Sequence, residues 1–233
     1  MGDYRKQVVR RTRGMMLVGI LGSVLSLVMV MGVATSALPD ASAPSVPPDK
    51  ALQQLLDGNR RYVSNAAEHP DQRPSAADQH PIAAILSCSD SRVPPEIIFD
   101  QGIGTIFVSR VAGNTYNNLV LESLAYSVMH LGVRLIVVMG HDQCGAVKAA
   151  ISSYPERMAG TMLKNIYPAV REAKGMSGDL LNNAINVNAE LIAKQLAAEI
   201  SFAPLVKSGQ LKIVAARYAL ASGKVTVLPI AGN

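Results

Sequence analysis

The chain has 233 residues, enough to bury one sizeable core, and its 49% hydrophobic and 17% charged content is that of an ordered globular protein. Its formal charge of +5 overstates any basic surface, because Arg5, Lys6, Arg10, Arg11 and Arg13 against Asp3 place +4 within the first thirteen residues. The near-neutral remainder presents no basic face for nucleic acid, and two cysteines, Cys88 and Cys144, are too few for a disulfide scaffold.

That basic segment precedes an uncharged apolar run over residues 14–33 and then small residues, Ala34, Ser36, Ala37, Ala41, Ser42 and Ala43. The pattern is that of an export signal cleaved after Ala37 or Ala43. The run is also long enough to span a bilayer as a retained anchor, tethering the protein to a membrane. Arginines on its N-terminal side leave the body of the protein outside the cytoplasm in either case, periplasmic or membrane-anchored. The expected organisation is therefore an export signal or anchor over 1–37, a Pro/Ser/Ala-rich linker over 38–48, and one folded domain over 49–233.

In that domain Asp49 is placed to cap a helix whose apolar positions Leu52, Leu55, Leu56 and Tyr62 recur at helical spacing. A polar stretch, 65–79, leads to a first strand over 82–87, and Pro94 and Pro95 restart the chain as a short helix over 96–99. A second strand over 105–109 ends in Arg110-Val111-Ala112-Gly113-Asn114, whose Gly113 and Asn114 suit a sharp turn. Thr115 then caps a helix that carries Leu119, Leu124, Val128 and Leu131 and stops at Gly132. A third strand covers 135–139, helices follow at about 161–173 and 179–200, and strands at 211–216 and 225–228 close the chain.

Strands alternating with helices predict an α/β fold, a mostly parallel sheet flanked by helices, with about four parallel strands and a C-terminal antiparallel one. In such sheets a ligand binds beyond the carboxyl ends of the strands, where successive connections leave in opposite directions. With strands two and three on opposite sides of strand one, Cys88 and His141 face each other across that crevice. His141 and Cys144 are three apart in a tight turn, close enough to chelate one ion. Two thiolates and an imidazole favour zinc over magnesium or calcium, with a fourth position open or weakly filled. The same two cysteines read alternatively as small buried hydrophobes or as one disulfide, and Asp90 with Arg92 as a surface ion pair.

Cys88-Ser89-Asp90-Ser91-Arg92, Arg110-Val111-Ala112-Gly113-Asn114 and Gly140-His141-Asp142-Gln143-Cys144-Gly145, in that order and strand context, resemble the β-class carbonic anhydrases from about Lys50 to the end. The resemblance implies a zinc lyase that interconverts CO2 and bicarbonate by zinc-bound hydroxide. It assigns Zn2+ to Cys88, His141 and Cys144 and a catalytic dyad to Asp90 and Arg92, with Asp90 closing the site as fourth ligand if Arg92 releases it. It also implies substrate-binding roles for Gln79, Phe107 and Tyr126, contributed by a neighbouring subunit, and hence a homodimer or higher even oligomer; the alternatives are a loop residue, plain core and helix packing. Gly145 is read as allowing close backbone approach at the metal turn, and Ser89 and Ser91 as bonding to the ligands. Thr105, where the family usually has an acidic residue, and Ala215-Ala216-Arg217-Tyr218, which lacks a common glycine, depart from the pattern. Rival readings are a carbonyl sulfide or carbon disulfide hydrolase on the same scaffold, a non-catalytic zinc-binding relative, or an α/β binding module closed by a disulfide.

Overall fold

One five-stranded sheet organises the computed structural model, which describes residues 45–68, 78–155 and 159–229. The expected leader and residues 38–44 of the linker lie outside the described residues. No helix among the described residues is long and apolar enough to cross a membrane.

The strands are β1 (Ala83–Ser87), β2 (Ile106–Arg110), β3 (Leu135–His141), β4 (Lys212–Tyr218) and β5 (Val225–Leu228), in the spatial order β2-β1-β3-β4-β5. The first four strands pair in parallel, and β5 returns antiparallel to β4, as the sequence pattern predicts. Every residue of β1 and of β3 is buried, which explains why both read as unbroken apolar runs: a central parallel strand is covered on both faces.

Seven helices do the covering: α1 (Pro48–Val63), α2 (Pro95–Ile98), α3 (Asn118–His130), α4 (Gly145–Ser153), α5 (Thr161–Ala173), α6 (Leu180–Ala198) and α7 (Ala203–Lys207) among the described residues. On one face Leu86, Ile136, Val138 and Ile213 pack against Leu124 and Val128 of α3 and Ile192 and Leu196 of α6. On the other, Ile85, Val137, Met139 and Val214 pack against Ala51 and Leu55 of α1 and Ile98 of α2. A third cluster lies around Cys88 and Cys144, built from Val147 and Ala150 of α4, Ile166 and Val170 of α5, and Ala184 and Ile185 of α6.

Several boundaries differ from expectation. Pro47 rather than Asp49 precedes α1, and Asp49 falls in the first turn, where a carboxylate favours the helix N-terminus. Asn117, not Thr115, caps α3, its side chain accepting from the Val120 N–H, while Thr115 closes a 3-10 turn by donating to the Ala112 carbonyl. Asp179, at the expected start of the helix, caps α6 by accepting from Asn182 N at 2.8 Å. The strand β3 runs two residues beyond Met139 and so carries His141 as its last residue. Helices α4 and α7 are additional to the sequence reading.

A buried amide ties α1 to the far end of the sheet. Asn59, 3% exposed, donates to the carbonyls of Ile98 and Gly223 at 3.0 and 2.8 Å and accepts from Val225 N at 2.8 Å. Asn59→Ala strands two buried acceptors and a donor, so urea unfolding should show a loss of about 2–4 kcal/mol. A loss below about 0.5 kcal/mol, the scale of an ordinary surface change, would contradict this account.

Candidate metal centre

The connections from β1 to β2 and from β3 to β4 leave in opposite directions, so the crevice lies beyond the carboxyl ends of the adjacent strands β1 and β3. Ser87 pairs with Met139, which brings Cys88 and His141 out of the sheet within one residue of the same level. Gln143, at φ 57°, turns the chain sharply, and Cys144 becomes the residue before the first turn of α4. A thiolate there benefits from the positive end of the helix.

The result is a group of three side chains that could hold a metal ion. The ligand atoms of Cys88, His141 and Cys144 all lie within 4.8 Å of one another, and the two sulfurs are 4.0 Å apart. Tetrahedral zinc with bonds of about 2.3 Å to sulfur holds two sulfurs about 3.8 Å apart, so the spacing fits with minor contraction. The imidazole points the same way. His141 is 0% exposed; its Nδ1 lies 2.9 Å from the Asp142 carbonyl, which assigns the ring proton there and leaves Nε2 as a lone pair. That Nε2 is buried with no hydrogen-bond partner among the described residues, a cost that a cation removes.

Of the two sulfurs, Cys88 is the more readily ionised. The hydrogen bond from Cys144 is the largest influence, driving Cys88 below the ordinary thiol range and holding Cys144 above it. His141 and the backbone N–H groups of Asp90 and Gly113 add to this at Cys88, and burial opposes it. The Gly113 N–H donates to Cys88 Sγ at 3.3 Å. Ser89 and Ser91, expected to bond the ligands, are exposed instead.

Asp90 and Arg92 form more than a surface ion pair. Arg92 grips the carboxylate with Nε at 2.9 Å, Nη2 at 2.8 Å and its own backbone N–H at 3.0 Å. That grip is the main reason the Asp90 carboxyl is held well below the usual carboxylate range. Its Oδ2 lies 3.9 Å from His141 Nε2, beyond hydrogen-bond reach but facing the chelate. Arg110, quoted in the sequence motif but given no role there, donates from Nε to the Cys88 carbonyl at 3.0 Å and from Nη2 to the Asp90 carbonyl, fixing the loop from below.

The remaining expected residues do not gather around Cys88, His141 and Cys144. Phe107 pairs with Ala84, four residues before Cys88, which is roughly 13 Å down the strand. Tyr126 is 48% exposed on α3, its ring 6.5 Å from that of Phe107, and Gln79 is exposed in the coil before β1. A methyl group at Gly145 would meet no atom within 4 Å, so packing within the protomer does not require glycine there. Gly113 is the crowded position: at φ 68° a Cβ would lie 2.7 Å from Ile166 Cδ1, and its carbonyl is held by Asn188 Nδ2 at 2.9 Å. Gly113→Ala should therefore cost about 1–3 kcal/mol in urea unfolding and lower the metal content, since the shift moves an N–H off Cys88. Wild-type stability in that variant would refute the assignment.

Comparison with known proteins agrees with this geometry. A family model described as carbonic anhydrase matches residues 83–225. Carbonic anhydrase 2 of Mycobacterium tuberculosis is 35% identical over 204 residues, covering 82% of this chain and 97% of its own length. The carbonic anhydrase of Mycolicibacterium smegmatis is 39% identical over 195 residues, covering 78% and 94%. Among solved structures, the β-carbonic anhydrase CafA of Aspergillus fumigatus superposes with a TM-score of 0.61 at 25% identity, over 78% of this chain and 92% of that one. A family match from β1 to the start of β5, near-full-length relatives and a shared fold agree, and the chain belongs to the β-class carbonic anhydrases, a family of enzymes.

Proposed function

We propose that this chain catalyses the reversible hydration of CO2 to bicarbonate and a proton, with Zn2+ held by Cys88, His141 and Cys144 and with Asp90 and Arg92 as its catalytic dyad. The observation that carries the reading is the buried, unpartnered Nε2 of His141 beside two sulfurs 4.0 Å apart, with an Arg92-held carboxylate facing them. When bound, the metal supplies Lewis acidity that lowers the pKa of coordinated water, to about 7 in the three-histidine carbonic anhydrases.

The protein supplies the rest. Asp90, ionised, is an acceptor only, so it fixes the direction in which a nucleophilic oxygen presents its proton and its lone pair. Arg92 holds that carboxylate bidentately, which would keep it from ligating a metal held by Cys88, His141 and Cys144. The apolar cluster around the cysteines limits water to the open side of the crevice. Because Phe107 and Tyr126 sit on the bare edge of β2 and on α3 beside exposed Leu119, we place them with Gln79 at the pocket of a neighbouring subunit in a homodimer or larger even oligomer. The basic, apolar leader supports export, with cleavage or with a tether through residues 14–33.

Stopped-flow CO2 hydration by the purified, reduced chain, with zinc counted, tests the reading. Activity should rise in proportion to zinc up to about one ion per chain, the stoichiometry of a single four-coordinate site. A zinc-loaded chain inert toward CO2 but active on carbonyl sulfide or carbon disulfide would overturn it. Sedimentation should show a dimer or larger species that Tyr126→Glu dissociates; a wild-type monomer with full activity would sink the shared pocket.

A further inference from the structure

We propose that Asp142 and Arg217 form a positioning pair that locks the His141 and Cys144 half of the chelate in place and so sets metal affinity. The inference rests on the metal reading above and adds two residues to it.

Beyond His141, which is paired with Tyr218 in the sheet, the turn is tied to β4 through its backbone by Asp142 N to the Tyr218 carbonyl at 3.0 Å. A side-chain tie on the same side runs through one guanidinium. Arg217, paired across from Gly140, donates from Nε to Asp142 Oδ1 at 2.7 Å, and its Nη2 completes an ion pair with the same oxygen. The remaining donors reach α6: Nη2 to Asn182 Oδ1 at 2.7 Å and Nη1 to Asn186 Oδ1 at 3.4 Å. Asn182 and Asn186 are one helical turn apart, so a single planar fork joins the metal turn to the helix that backs it.

The tie reaches the metal ligand itself. The Asp142 carbonyl is the partner of His141 Nδ1, so whatever fixes Asp142 also fixes the direction of the opposite lone pair, Nε2. The pair is mostly enclosed, each side chain 23% exposed, and so is screened far less than a surface ion pair. Without Arg217, Asp142 would place an unpaired, half-desolvated carboxylate in the turn and would swing outward for water, taking its carbonyl along.

The test is zinc affinity of the full chain by competition against a chelator of known affinity, paired with urea unfolding of the metal-stripped protein. R217M should weaken zinc about 10–100-fold, the usual cost of losing an outer-sphere partner. D142A should weaken it in the same range, and the double variant should be no worse than R217M, as members of one unit are not additive. R217K should recover only part of the affinity, because one ammonium cannot replace three directed donors. K212M breaks the exposed Lys212–Asp49 pair on the same strand and should leave zinc binding unchanged. A purely structural role predicts the opposite split, a lower metal-free midpoint with unaltered zinc affinity, and that result overturns the pair. Should R217M fail to fold, D142A decides: wild-type affinity there overturns the proposal. A wild-type chain that binds no zinc would instead overturn the metal reading and the pair with it.

Discussion

Cys88→Ser will strip the ion from the site and abolish CO2 hydration, leaving metal content near background and activity down by at least about 1,000-fold, the scale of losing the group that activates water. Serine keeps the size of the side chain but replaces a soft anion with a neutral hydroxyl that stays protonated at neutral pH. The remaining His141 and Cys144 are two ligands from one turn, which hold zinc far more weakly than three. The fold should survive, because Cys88 sits among Val147, Ile166 and Ile185, which pack without it. Metal analysis together with circular dichroism checks both halves. A folded variant with full zinc occupancy would remove Cys88 from the ligand set.

Asp90→Asn should do the reverse, keeping about one zinc per chain while kcat/KM falls about 100- to 10,000-fold, the range for removing a positioned acid–base partner. The carboxylate now accepts from three Arg92 donors and still has capacity on its other side. An amide cannot do both. Whichever way it turns, it sets an N–H against Arg92 or against the nucleophile, and the orienting charge is gone. Zinc is retained because Asp90 lies outside the three-atom chelate. Hydration at the wild-type rate would end the role given to the dyad.

Both expectations concern residues that were legible from sequence, and the reason is local. Cys88 and His141 close runs in which every residue is buried, and a polar metal ligand directly after such a run stands out. What escaped is of two kinds. Helix α4 begins on the metal turn itself, and its Gly-Ala-Ser content carries little apolar periodicity, so nothing marked it apart from the loop. Long-range partners carry no signal at all in one chain. Arg217 lies 75 residues from Asp142, and the Gly113 N–H that meets Cys88 is a backbone group without a side-chain signature. The caps illustrate a smaller limit, since Asn117 and Thr115 are both good capping residues and only the 3-10 turn between β2 and α3 decides in favour of Asn117.

The order of strands in the sheet bears on how the protein comes to hold its ion. Ala84 must find Ile136, and Leu135 must find Lys212, before the crevice has two walls and a back. These are distant encounters along the chain, the slow kind in assembling a parallel sheet. During refolding, then, uptake of the cation will trail docking of the last parallel strand, and raising the free zinc concentration will not hasten it. The moment of capture reports that the parallel part of the sheet has assembled.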